Sequence, residues 1–390
     1  MMKLLVMTLP LHSNYGGILQ NYALCRILVM EGCDVQSVRW PSKRYYLSWY
    51  KKPFVYLKRI ITGKEVLFEN RMSRQYPVIV ESLDQFVDKY IPRTNEEIRS
   101  GNEYVRMIRN FAPDAIVYGS DQIWRKNYTK KSHWHRLTSR SAYPNFLDFY
   151  GNTLKGNIVQ VSYAASFGVD YKEYDEYESC KAGTLLRKFK AVSVRESSGI
   201  DLINNSYKWC VEAVQVVDPT LLLCKKDYSL LISNADTIAP HKEIYYYVLD
   251  VCGRFNEIRK FIDEKMRCSS DIISLDITNK ERPVCERKLP SIEQWLRNIR
   301  DSKFIVTDSF HGMLFSIIFE KNFVVLGNKK RGNARFTSLL NELGLEERFC
   351  SDKASILNCL QRTINWENVH SILDVKRKKS LSFLRKSINL

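Results

Sequence analysis

No stretch of this 390-residue chain approaches the roughly 20 consecutive apolar residues that a bilayer-spanning helix needs. The first ten residues hold one Lys and a short apolar run that reads as a strand. They lack a basic leader region and a small-residue cleavage site, so they do not read as a signal peptide, and the expected compartment is the cytoplasm. The ten cysteines are scattered and never form C-x-x-C, which suits reduced thiols and not a disulfide framework or zinc site. Only His133 and His135 put two imidazoles on one face, and only in an extended segment. A partly exposed aromatic loop is the simpler reading, and no metal ligand is assigned. No G-x-G-x-x-G follows a predicted strand, which removes the dinucleotide fingerprint. Gly151 and Gly156 have P-loop spacing, but Asn157 stands where the phosphate-gripping lysine belongs. There is no G-x-S-x-G elbow, no H-E-x-x-H pair, and no Asp-x-Asp to hold a divalent ion against a sugar nucleotide. Hydride transfer, P-loop phosphoryl transfer and zinc hydrolysis all lose ground.

What is present is a globular composition, 45% hydrophobic and 26% charged, with 60 Lys and Arg against 43 Asp and Glu for a net charge of +17. At roughly 100–200 residues per domain, the length suggests two or three domains. In the first half, strands predicted at 4–7, 35–38, 115–118, 158–162, 191–194 and 214–217 alternate with helices near 19–30, 79–90, 96–109 and 175–189. The second half repeats the pattern, with strands at 244–249, 272–275, 303–307 and 323–326 and helices at 255–266, 291–300 and 310–320. Helices fill most of the chain after Arg335. This alternation predicts an α/β architecture of two facing Rossmann-like doubly wound domains, 1–224 and 225–390, with an inter-domain cleft as the ligand site. The boundary falls just after Asp218-Pro219-Thr220.

Two segments break the pattern. Residues 41–80 carry nine Lys and Arg against Glu65 and Glu69, with Tyr45, Tyr46, Trp49, Tyr50, Phe54 and Tyr56 interleaved. The tail 375–390, in a predicted basic C-terminal helix, has six basic residues and no acidic one. Each suits a solvated basic face, or contact with anionic lipid headgroups or a lipid-linked substrate. No nucleic-acid-binding motif accompanies them, so nucleic acid is not expected as a partner.

The most informative stretch is Thr307-Asp308-Ser309-Phe310-His311-Gly312. A strand ends here, and Asp308 or Ser309 can cap the helix that follows. Backbone N–H groups at a helix start form a ready anion site, and His311 in the first turn would lie beside the anion. Histidine suits proton transfer at neutral pH. A packed side chain at a strand–helix junction is the plainer alternative. Arg195 ends a predicted strand, where its guanidinium can hold a carboxylate or phosphate, or pair with Glu196 or another acid. Asn14, Tyr15 and Gly16 follow the first strand, where backbone can approach a ligand closely. Asp121, after Gly119 and Ser120, offers a carboxylate to hydroxyl groups or caps the next turn. Arg331 and Arg335 flank Gly332-Asn333 and form either a basic pocket or a surface pair.

The combination NYGGILQNYAL (14–24), GSDQIW (119–124), SVRE (193–196), VDPTLLL (217–223), TDSFHGMLFSIIF (307–319) and ARFTSLLNELGLEER (334–348) resembles the polysaccharide pyruvyl transferase family, in order from about residue 3 to 350. The resemblance implies a GT-B-like fold, with the first domain on the acceptor side and the second on the donor side. It implies transfer of the pyruvyl group of phosphoenolpyruvate to two hydroxyls of a sugar, forming a cyclic ketal. The acceptor would be a capsular, exopolysaccharide or cell-wall glycan, or a lipid-linked oligosaccharide precursor met through 41–80 at the inner membrane face. By motif, Arg195 would hold the donor's anionic groups together with Ser309, Gly312 and Arg335. His311 would act in proton transfer, Asp121 would orient or deprotonate the acceptor, and Asn14, Tyr15 and Gly16 would border it. No step needs a metal or cofactor. Family members often have Arg two positions before this His, whereas this chain has Ser309. Either Arg335, Arg331 or a lysine supplies that charge, or the donor differs. A GT-B glycosyltransferase using a nucleotide sugar and a non-catalytic member of an assembly complex share the same architecture.

Overall fold

The computed structural model describes residues 1–40, 52–62, 70–98, 101–126, 158–233, 242–251, 253–274, 277, 282–327 and 332–390. His133, His135, Gly151, Gly156, Arg331 and parts of segment 41–80 lie outside the described residues.

The first domain runs β1 (Lys3–Met7), α1 (Tyr15–Met30), β2 (Asp34–Ser37), α2 (Lys52–Ile61), α3 (Asn70–Tyr90), α4 (Gly101–Phe111), β3 (Ala115–Tyr118), β4 (Val159–Ala165), α5 (Glu176–Leu186), β5 (Ala191–Val194), α6 (Ser197–Asp201) and β6 (Ala213–Gln215). Its strands pair in the order β2-β1-β3-β4-β5-β6, all parallel. Because helices cover both faces, the central strands read as short, nearly unbroken apolar runs such as Leu4–Met7 and Ala115–Tyr118. The chain order reverses between β1 and β3, and the crevice at their C-terminal ends is where such sheets hold ligands.

The second domain runs α7 (Lys225–Ser233), β7 (Ile244–Val248), α8 (Gly253–Met266), β8 (Ser270–Ser274), α9 (Val284–Arg287), α10 (Ile292–Asp301), β9 (Phe304–Thr307), α11 (Phe310–Ile318), β10 (Asn322–Leu326), α12 (Ala334–Leu343), β11 (Phe349–Cys350), α13 (Lys353–Gln361) and α14 (Trp366–Ile388). Its strand order is β8-β7-β9-β10-β11, again parallel, with the reversal between β7 and β9. Among the described residues, no helix is long and apolar enough to cross a membrane.

Two features stand out among the contacts that join the domains. Tyr15, at the start of α1, is fully buried, stacks on Trp295 of α10 at 5.3 Å between centroids, and meets the Tyr247 ring edge-on. Its hydroxyl donates to the Pro290 carbonyl at 2.7 Å. One apolar core therefore runs from Leu4 and Leu19 through Tyr15 into Trp295 and Phe315. The second feature is α14, which crosses back to the first sheet. The Val217 N–H donates to Ser380 Oγ at 3.1 Å, and Arg385 grips both oxygens of Glu31 at 2.8 and 2.7 Å. Lys376 pairs with Glu342 at 2.7 Å, and Arg377 bonds Asp374 and the Leu221 carbonyl. Half of the basic tail is thus engaged within the chain: its charge fastens a strap between the domains, which a count of lysines and arginines could not distinguish from a lipid-facing surface.

Tyr15→Ala should cost about 3–5 kcal/mol, the range for emptying a large aromatic site. The urea unfolding midpoint checks this, and a loss within about 0.5 kcal/mol, the scale of an ordinary surface change, would show that the ring is not the clamp between domains.

Candidate functional site

Four strand ends of the first domain deliver polar side chains to one buried point. β4 carries a bulge between Ser162 and Ala165, with Ala164 at a left-handed φ of 51°. Two buried serines absorb the backbone groups that the bulge frees: Ser162 Oγ donates to the Ser193 carbonyl, and Ser193 Oγ accepts from the Ala164 N–H. The bulge lets the Ala165 carbonyl accept from the Arg195 N–H at 3.1 Å, which places Arg195 directly after β5.

Asp218 stands after β6 and caps the short turn Pro219–Leu221. Its Oδ1 accepts from the Thr220 N–H at 3.0 Å and the Thr220 hydroxyl at 2.8 Å. Its Oδ2 accepts from Arg195 Nη1 at 2.6 Å, and Ser120 Oγ lies 3.4 Å away. His311 Nε2 of the second domain lies 3.6 Å from the same oxygen, just beyond hydrogen-bond length. Burial pushes the Asp218 carboxyl up, but the His311 imidazole and the Arg195 guanidinium together outweigh it and hold the group well below the usual carboxylate range.

Arg195 is buried among three acids: Asp218, Asp121 with Oδ1 3.7 Å from Nη2, and Glu196 with Oε2 3.9 Å from Nε. Burial works against its charge, and the three carboxylates more than restore it, so its pKa is raised. Glu196 is fixed from the other side, where Oε1 accepts from Ser166 Oγ and the N–H groups of Phe167 and Gly168. Asp121 is buried at a left-handed φ of 74°, the kind of backbone strain that collects at functional sites. Among the described residues, Arg195 Nε and Nη2 have no hydrogen-bond acceptor.

His311 sits in the first turn of α11. Ser309 caps that helix, its Oγ accepting from the Gly312 N–H at 3.3 Å, and Asp308 ties it to the loop after β7 by accepting from the Leu249 N–H at 2.6 Å. Gly312 has no room for a side chain, since a Cβ would lie 2.3 Å from Thr307 Oγ1. Gly16 is equally constrained across the interface: a Cβ there would lie 2.0 Å from His311 Nδ1. The N-terminus of α1 therefore rests on the imidazole, and His311 is buried. The Phe310 ring contacts the guanidinium groups of both Arg195 and Arg335, whose centres are 4.5 and 5.4 Å from the ring centroid.

The structure thus brings Asp121, Arg195 and His311 together around Asp218. Arg335 joins them through Phe310, while Asn14 is exposed at the start of α1. Ser309 and Gly312 serve to cap and pack α11. Tyr15, expected beside the acceptor, is instead buried in the domain contact with both ring and hydroxyl occupied. Arg195 is already ion-paired, the plainer of the two roles open to it in sequence. Asp218 is the residue that sequence reasoning passed over: VDPT was read as a boundary, although Asp before Pro-Thr after a strand is itself a capping signal. Among the described residues, no group of three His, Cys, Asp or Glu is arranged to hold a metal ion.

Two parallel doubly wound sheets, meeting at the ends of their strands, make this a GT-B-like α/β protein. Among solved structures the fold is similar to that of UDP-GlcNAc 2-epimerase from Neisseria meningitidis in a structure bound to UDP-GlcNAc (10% identity, 99% of this chain and 100% of that one covered, TM-score 0.50). It is also similar to S. aureus MnaA in a co-structure with UDP (11% identity, 100% and 98% covered, TM-score 0.53). No curated protein matches the sequence. The model of the polysaccharide pyruvyl transferase family matches residues 14–330, and the chain belongs to that family of transferases.

Asp218→Asn leaves the Arg195 charge buried with weaker opposition and should cost about 3–5 kcal/mol at neutral pH. Because the folded-state pKa of Asp218 is depressed, its contribution is full above its unfolded value near about 4 and is lost as pH falls below it. The gap between the unfolding curves of wild type and variant should therefore narrow progressively as pH falls from there toward the depressed folded value. A gap that stays constant down to acid pH would show that Asp218 ionisation does not stabilise the fold.

Proposed function

We propose that this protein transfers the pyruvyl group of phosphoenolpyruvate to two hydroxyls of one sugar in a capsular, exopolysaccharide or cell-wall glycan. The observation that carries the reading is the junction at which His311 of one domain meets the Asp218–Arg195 ion pair of the other, in a chain of this family. In the reaction, the enol methylene takes a proton and becomes a methyl group. Two C–O bonds form from sugar hydroxyls to the central carbon, the C–O bond to phosphate breaks, and inorganic phosphate leaves. One hydroxyl proton balances the new methyl hydrogen and the other goes to phosphate or solvent.

Each residue has a place in that scheme. His311 is the proton-transfer group, and a small closing of the 3.6 Å gap would let its Nε2 donate to Asp218, which would orient the ring and fix which nitrogen carries the proton. Asp121 is assigned to the acceptor hydroxyls, and the exposed Asn14 at the start of α1 to the acceptor's approach. The donor's anionic groups draw on the unbonded N–H groups of Arg195, on Arg335, and on the start of α11. Three carboxylates already oppose Arg195, so Arg335 supplies the charge that Ser309 does not. The acceptor enters from the first domain and the donor from the second. His311 is buried with Gly16 packed against its imidazole, so substrate access calls for movement at this contact.

A nucleotide-sugar transferase is the second reading, favoured by the fold shared with the UDP-GlcNAc-bound and UDP-bound structures. Phosphate release from phosphoenolpyruvate in the presence of acceptor glycans, for wild type and His311→Ala, separates the two. Pyruvyl transfer predicts acceptor-dependent release that falls about 10²–10⁴-fold in the variant. Release unchanged by the substitution removes His311 from the mechanism. A melting temperature raised by UDP-GlcNAc and not by phosphoenolpyruvate favours the second reading.

A further inference from the structure

Helix α2 carries an apolar stripe that neither the core nor the reaction uses. Phe54, Leu57, Ile60 and Ile61 are 76, 57, 64 and 74% exposed. Helical spacing sets these four, with exposed Pro53, on one arc of the helix. Single exposed leucines are ordinary on a protein surface, but four large apolar side chains on one ten-residue helix form a contiguous patch of the kind that marks an interaction site. Lys58, also exposed, borders the stripe next to Phe54 and Ile61 on the helical projection. The sequence around the helix is strongly basic, with nine Lys and Arg in residues 41–74 against Glu65 and Glu69.

We propose that α2 is an interfacial helix that seats the first domain on an anionic lipid bilayer through Phe54, Leu57, Ile60 and Ile61. A helix about 15 Å long cannot span the hydrocarbon, but it can lie at the headgroup level with its apolar arc among the acyl chains. The surrounding positive charge is complementary to anionic headgroups, and each cation near the surface strengthens binding about fivefold. A second copy of the chain is a poor occupant. In a two-fold contact each stripe would face its own equivalent, which brings two strongly basic segments together. The seat is independent of the reaction assigned above, so either can fail alone.

The full-length protein, sedimented with vesicles of phosphatidylcholine alone or with one-third phosphatidylglycerol, tests the proposal. Wild type should partition onto the phosphatidylglycerol vesicles at least about tenfold more strongly, given several cations contributing together, and high salt should weaken the binding. The double variant Leu57→Glu/Ile61→Glu should lose that binding and keep its melting temperature, because both side chains are exposed. Equal partitioning onto the two vesicle types, or equal binding by the variant, overturns the proposal. So does a wild-type dimer in lipid-free buffer that the variant converts to monomer, which assigns the stripe to a second copy.

Discussion

The buried ion pair between Asp218 and Arg195 is the constraint on which the rest of the site depends. A guanidinium at this depth is tolerable only with carboxylates against it, and Asp218 provides the shortest contact, at 2.6 Å. To do so, Asp218 must be held by its own turn at Thr220, Arg195 must be delivered by the bulged end of β4, and Ser120 and Asp121 must close in from β3. The backbone strain at Ala164 and Asp121 follows from bringing these ends to one point. The same carboxylate that holds Arg195 also faces His311 across the domain interface.

The second consequence lies across the interface. His311 reaches Asp218 only because Gly16 leaves room for the imidazole, and α1 is held there by Tyr15 stacked on Trp295. The strap formed by α14 fixes the domains from the opposite direction through Ser380 and Arg385. The residues that hold the domains together here are therefore the residues that keep His311 covered. Phe310 adds to this by offering its ring to both Arg195 and Arg335, a cation–π contact for two cations near one helix start.

Much of this was legible in the sequence, for identifiable reasons. Short apolar runs such as 115–118 and 304–307 can be little else than buried parallel strands, and the alternation with helices then dictates two doubly wound sheets. Arg195, Asp121 and His311 were visible because each follows a strand, where such sheets place their ligands. Asp218 follows one too, but its Pro-Thr neighbours drew attention to the turn and away from the carboxylate. Nothing local shows that two arginines far apart in sequence meet at the Phe310 ring. Tyr15 looked available beside its glycines, and only the partner domain reveals that Trp295 and Pro290 occupy it. The basic tail and segment 41–80 are alike in composition. What separates them is tertiary: Glu31 and Glu342 wait for the tail, whereas the apolar side chains of α2 face outward.

The central claim, that Asp218 and Arg195 act as one unit, is tested most directly by a double-mutant cycle in urea unfolding with Asp218→Asn and Arg195→Met. Each single change removes the shortest ionic contact of a buried charge, whereas the double change removes both charges of the pair. The account predicts a double-variant loss smaller than the sum of the single losses by at least about 1 kcal/mol. Losses that add to within about 0.5 kcal/mol would contradict it and leave the two residues as independent neighbours.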